Sequence, residues 1–138
     1  MALQLSKAFI NLPVKNLQQS MDFFSRIGFE FNMQFTDDNA TSMIINEHTY
    51  VMLLVEPFFQ TFTSKEVADA KRSTEVIVAL AADSRAQVDE IADKAMAAGA
   101  QHSKDPQDHG FMYGRSFQDI NGHLWEVFYM EDPASHQA

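Results

Sequence analysis

Cysteine is absent from the 138-residue chain, which excludes disulfides, thiolate-built zinc sites and cysteine nucleophiles. Positive charge is scarce: 10 Lys and Arg stand against 19 Asp and Glu, a formal net charge of −9. A surface of that sign does not displace counterions from a phosphate backbone or adhere to an anionic bilayer, so neither nucleic acid nor membrane is an expected partner. No apolar run approaches the roughly 20 residues that cross a hydrocarbon core, and the opening MALQLSKAF has no apolar core of a secretory signal. A cytoplasmic location is the default expectation. No low-complexity stretch is present, and only the end from Asp132 reads as frayed. With 46% hydrophobic and 21% charged residues, the composition is that of a globular protein, and the length predicts a single domain over 1–138.

The most structured stretch is Phe111 to Met130, FMYGRSFQDINGHLWEVFYM. Asn121-Gly122 between two aromatic-rich runs predicts a β-hairpin, because both residues tolerate the positive φ that a tight turn requires. Alternation along the second strand puts Leu124, Glu126, Phe128 and Met130 on one face and Trp125, Val127 and Tyr129 on the other. Glu126 is then a carboxylate in the middle of an apolar face, which demands a partner, a proton or a function.

A repeat runs through the chain. Phe9–Val14 reads as a strand, Asn16 as a helix N-cap with Gln19 completing a capping box, and 17–27 as a helix ended by Gly28. Ile77–Ala82, Ser84 and Gln87 repeat that phrase at a constant offset, and a second helix follows with Val88, Ile91, Ala92, Ala95 and Met96 inward and Gly99 at its end. Strands are expected at 29–35, 40–45 and 50–55 after the first helix, and at 100–103 and in the hairpin after the second. Lys104–Gly110 (KDPQDHG) is a loop by composition. The halves read as βαβββ modules of about 7–56 and 74–130, and a module this small must share a core. Between them, 57–73 contains Thr63-x-x-Glu66, a capping-box pattern that predicts a short helix through about Lys71, preceded by the Phe58-Phe59-Phe62 cluster.

Two βαβββ modules, the phrase LPVKNLQQSMDFFSRIGFEF and the closing segment Asp119-Ile120-Asn121-Gly122-His123-Leu124-Trp125-Glu126 resemble the vicinal oxygen chelate superfamily, which holds glyoxalase I, bleomycin-resistance proteins and extradiol dioxygenases. The resemblance covers about residues 7 to 130 and is nearest to bacterial single-domain glyoxalase-like proteins. It implies an α+β fold in which two βαβββ modules form an open, barrel-like mixed sheet. It further implies a small-molecule ligand, a homodimer, and a divalent metal held by the first and last strands of each module; the Phe58–Phe62 segment reads either as a linker whose aromatics tuck under the sheet or as a subunit contact or pocket lid. Carried over residue by residue, the ligand positions fall at Phe9, Ile77, Met52 (or Leu53) and Glu126, of which only Glu126 is a ligand type. The expectation is therefore a protein that binds a small molecule with no metal or other cofactor. The alternative is a lyase or isomerase of the lactoylglutathione lyase type acting through Glu126, either metal-free or with a non-standard metal site including Glu75. The histidines do not form ligand pairs; His123 and Glu126, three apart on a strand, face opposite ways.

Around Glu126 as a possible base, the expected ligand-binding residues are Asn11, Tyr113, Arg115, Phe9, Met52 and Phe128, with Leu54 adding to the apolar wall. A two-residue turn would set Phe117 opposite Glu126 and bring Arg115 and Tyr113 onto its face, with Arg115 either pairing with Glu126 or meeting a ligand. A three-residue turn would put Met112, Gly114 and Ser116 there instead. Asn11 shares the face of Phe9, as a ligand contact or as a strand-edge amide.

Overall fold

The computed structural model describes residues 1–131; the tail from Asp132, with His136, lies outside the described residues. The chain divides into two compact units, residues 1–69 and the chain from residue 70 onward, and its strands form two separate mixed sheets, not closed into a barrel. The class is α+β, as expected.

In the first unit, strand β1 (Ala8–Val14) leads to helix α1 (Leu17–Ile27), then to β2 (Glu30–Asn32), a 3-10 turn at Met33–Phe35, β3 (Ala40–Ile44) and β4 (Thr49–Val55). The sheet order is β1-β4-β3-β2, with β1 parallel to β4 and the other pairs antiparallel. α1 starts where the sequence says it should: the Asn16 side chain accepts the Gln19 backbone N–H at 2.9 Å, satisfying one of the orphan donors of the first turn. It ends at Gly28, whose φ of 123° lets its N–H turn back to the Phe24 and Ser25 carbonyls. Leu17, Ser20, Phe23, Phe24 and Ile27 are buried, and the β1 and β4 residues buried with them are Leu12, Val14, Val51 and Leu53.

The helix expected at 63–71 does not form. The chain instead turns helically at once after β4, as α2 (Glu56–Phe59) continued by a 3-10 turn at Gln60–Phe62. Pro57 falls in the first turn, where a missing N–H costs nothing. The Thr63 hydroxyl accepts only the nearby Lys65 N–H, and Gln60 Nε2 donates to the Thr63 and Lys65 carbonyls. Those local bonds hold the carbonyls outside any helical ladder. Phe58 and Phe62 meet edge to face at 5.2 Å between ring centres, and Phe62 stays exposed.

The second unit repeats the plan with β5 (Ile77–Ala81), helix α3 (Arg85–Ala97), β6 (Gln101–His102), β7 (Gln107–Asp108), β8 (Met112–Gln118) and β9 (Leu124–Met130). The sheet order is β5-β9-β8-β6, with β7 also on β8. The counterpart of β2 is thus an edge strand broken into two-residue pieces, and the break carries Ser103–Pro106. Ser84 caps α3 by accepting the Gln87 N–H at 3.0 Å, while Gln87 Oε1 reaches back to the Asp83 N–H at 2.6 Å, one residue beyond the expected partner. Val88, Ala92 and Ala95 are buried on α3, whereas Met96, expected inward, is exposed.

The hairpin between β8 and β9 has a three-residue loop, not two. Asp119 N–H pairs with the His123 carbonyl, Gly122 N–H closes a turn on the Asp119 carbonyl, and Gly122 takes φ 94°. This is a type I turn followed by a left-handed glycine. The Asp119 carboxylate dictates the choice: one oxygen accepts the Asn121 and His123 N–H groups at 2.8 and 3.0 Å, the other the Trp125 indole N–H at 2.9 Å. Burial pushes this carboxyl up, and His123 and the N–H donors act the other way. Gly122 also lies where a Cβ would come within 2.8 Å of the Lys71 backbone nitrogen. Gly122→Ala is therefore expected to cost about 2–4 kcal/mol by denaturant unfolding, combining left-handed strain with overpacking. Gly110→Ala, at φ 81° with nothing within 4 Å of the added Cβ, should cost only about 1–2 kcal/mol; equal losses would show that the approach of residues 70–71 is immaterial.

Candidate functional site

The loop length fixes what shares a face with Glu126. Ser116 stands opposite Glu126, Gly114 opposite Phe128 and Met112 opposite Met130, and on the other side Ala79 of β5 neighbours Glu126. Tyr113 and Arg115 fall on the reverse face, which corrects the arrangement that a two-residue turn implies. There they serve α3. The Tyr113 hydroxyl donates to Asp89 at 2.5 Å, and Arg115 Nη1 donates to Asp89 and Asp93 at 3.1 and 2.8 Å. Asp89 is held below the usual carboxylate range, chiefly by the Tyr113 hydrogen bond, and the same bond raises the Tyr113 phenol. Arg115 is thus spent on α3 and is not the partner of Glu126.

The next cluster fastens the broken edge. Arg85 pairs through both terminal nitrogens with Asp108 at 3.0 Å, donates to the Gly110 carbonyl at 2.8 Å, and lies 5.1 Å from the centre of the Tyr113 ring. The fork holds the Asp108 carboxyl down to about 2. Upstream, the Lys104 backbone N–H donates to Ser116 Oγ at 3.2 Å and the Gln118 side chain donates to the His102 carbonyl at 3.0 Å. Between those fastenings, Asp105–Pro106 bows out of the ladder on β8.

The space under that bow is a cavity of about 270 Å³ on the open face of the second sheet. Its wall includes Met112, Gly114, Phe128 and Met130, and its polar groups come from Lys104, Asp105, Gln107, His109, Ser116 and Glu126; Arg115 and Val127 add to the lining, although the Arg115 guanidinium is bonded to Asp89 and Asp93, and the cavity is close to the smallest pockets that hold organic ligands, about 300 Å³. The Lys104 ammonium sits 3.7 Å from Glu126, with the two side chains 57% and 36% exposed. That is a loose, partly hydrated pair, open to an incoming group. Asp105 points mostly into solvent and pairs with His102 at 3.2 Å.

Of the expected site residues, Glu126 and Phe128 therefore share this cavity, and Tyr113 leaves it. Phe9, Asn11 and Met52 lie in the first sheet, on one face: β1 and β4 align Asn11 with Met52 and Phe9 with Tyr50, and the Phe9 and Tyr50 rings stack at 5.2 Å between centres. Phe9 is 56% exposed. The registers also make Met52 the counterpart of Glu126, since Asn11 pairs with Met52 as Ala79 pairs with Glu126. Lys104, Gln107 and His109 were missed because KDPQDHG carries only loop composition; the one available signal was a break in strand-forming residues beside an otherwise long hairpin.

A divalent metal, which the resemblance implies, does not fit these residues. Glu126 has an alanine and a serine as ladder neighbours and an ammonium as its ion partner, so its strand neighbours add no carboxylate or imidazole and its nearest charge is one that repels a metal cation. Among the described residues no three His, Asp or Glu side chains cluster, and Glu75 lies outside the strand that it was expected to extend.

No helix among the described residues is long and apolar enough to cross a membrane. No curated protein matches the chain. Solved structures do: a hypothetical protein from S. aureus at 24% identity, covering 91% of this chain and 95% of its own with TM-score 0.77; a glyoxalase-related enzyme from Fulvimarina pelagi at 19%, covering 92% and 88%, TM-score 0.77; and a lactoylglutathione lyase from Agrobacterium tumefaciens at 16%, covering 88% and 91%, TM-score 0.65. These share the fold. The model of the Glyoxalase/Bleomycin resistance protein/Dioxygenase superfamily matches residues 8–127, and with nearly the whole chain so matched, this protein belongs to that superfamily.

Proposed function

We propose that this member of the superfamily binds a small, partly apolar molecule in the cavity beside Glu126, without a divalent metal. The observation that carries the reading is the wall itself. Gly114 stands opposite Phe128 in the ladder, and a Cβ added to Gly114 would lie 3.4 Å from Phe128 Cβ, so the glycine leaves the floor open where any side chain would fill it. Thioether groups at Met112 and Met130 make the wall polarisable and adaptable.

A second reading is enzymatic. Glu126 faces the cavity, and a carboxylate there has the reach to take a proton α to a carbonyl, as a lyase or isomerase of the lactoylglutathione lyase type would need. Lys104 is then the positive group nearest the developing oxyanion. Pairing of two chains through the segment that ends at exposed Phe62 completes the proposal.

Methionine-methyl NMR with small aromatic compounds should shift the Met112 and Met130 signals and leave Met43, buried in the first sheet, unmoved. Gly114→Leu should weaken that binding at least about tenfold with the far-ultraviolet spectrum kept, since filling the floor removes about 1.4 kcal/mol or more of contact; undiminished binding would place the ligand elsewhere. Native mass spectrometry of untagged protein purified without chelator should give a metal-free dimer, and Phe62→Asp a monomer. Near-stoichiometric metal, or a monomer from the start, would remove the corresponding part of the reading. For the enzymatic alternative, consumption of the methylglyoxal–glutathione hemithioacetal should fall at least about 100-fold in Glu126→Gln, and a rate no different from buffer in the parent protein would end it.

A further inference from the structure

Resting on the cavity reading above, we infer that the Lys104–Glu126 pair selects a ligand whose head group carries both charges: a small zwitterion of the amino-acid type with an apolar side chain. The two groups stand 3.7 Å apart at one end of a cavity whose remaining wall is Met112, Phe128 and Met130. That separation is beyond a charge-assisted hydrogen bond. A head group presenting an ammonium to Glu126 and a carboxylate to Lys104 completes two strong hydrogen bonds and leaves neither protein charge unmatched.

The alternatives are worse on electrostatic grounds. A purely cationic head meets Glu126 but crowds the Lys104 ammonium, and a purely anionic head does the reverse. Either way one like-charge contact forms inside a partly dehydrated space. Arg115 also contributes to the cavity lining, but its guanidinium is taken up by Asp89 and Asp93, and Arg85 is taken up by Asp108, so neither leaves an unmatched positive charge to shift the balance. Asp105, at 92% side-chain exposure, is screened by solvent. His109 adds a ring to the lining.

The test is a matched panel sharing one phenylethyl body: phenylalanine, phenethylamine, 3-phenylpropionate and 3-phenylpropan-1-ol, titrated by calorimetry into the full chain and followed at the Met112 and Met130 methyl signals. Phenylalanine should bind about tenfold or more tighter than either singly charged compound, the worth of one charge-assisted hydrogen bond. Lys104→Met should transfer the preference to phenethylamine and Glu126→Gln to 3-phenylpropionate; Lys104 is exposed and Glu126 half-buried, and the far-ultraviolet spectrum of each variant checks that the fold is kept. A singly charged compound binding as well as phenylalanine, or variants that leave the ranking unchanged, would overturn the inference. Equal binding of all four, the alcohol included, would keep the cavity and discard the charge pairing. No binding of any of the four would discard both.

Discussion

A single buried carboxylate decides how the second unit is read. Asp119 is 3% exposed, and by accepting two loop N–H groups and the Trp125 indole N–H it makes a three-residue loop the one in which both of its oxygens are hydrogen-bonded. Strand side chains alternate with period two, so one residue of loop length inverts every assignment on β8. Ser116 rather than Phe117 stands beside Glu126, and Arg115 turns to the helix. The segment from Asp119 to Glu126, which looks like a signature of chemistry, is for most of its length a device for setting parity.

Elements whose cause is local were legible in the sequence. Asn16, Gly28 and Ser84 act through hydrogen bonds to residues at most four positions away, and both long helices begin and end at the expected residues. The repeat itself was legible, and the structure shows its two halves paired alike, β1 with β4 and β5 with β9. The helix expected at 63–71 failed for an equally local reason, because Gln60 and Thr63 offered the backbone other partners. What the chain could not reveal was any feature settled by a partner far away in sequence. Arg115 finds Asp89 and Asp93, and Arg85 finds Asp108, across more than 20 positions. The charges looked like candidates for a ligand until their partners were known.

The candidate site was legible on the hairpin strands, as Glu126 and Phe128 with Met112, Gly114 and Ser116 as one of two registers, and hidden in the loop beside them. Glu126 stands out because a carboxylate interrupts an apolar face, a conflict readable from alternation alone. Lys104 does not stand out, since a lysine in a polar loop is unremarkable until the loop is seen to lie against the sheet. Met52 at the counterpart position of Glu126 shows how the repeated halves diverged: the same ladder position holds a thioether in one sheet and a carboxylate in the other.

The broken edge beside β8 has a consequence for the chain's encounters with its own kind. An uninterrupted edge strand presents a row of free N–H and carbonyl groups on which another chain can add a strand. Here β6 and β7 are two residues each, with Lys104, Asp105 and Pro106 between them, so no such row is long enough to template growth, and the proline has no N–H to offer. The gap that admits a small molecule thus also denies a purchase to a neighbouring polypeptide, and straightening it would close a pocket and open a route to fibrils at the same time.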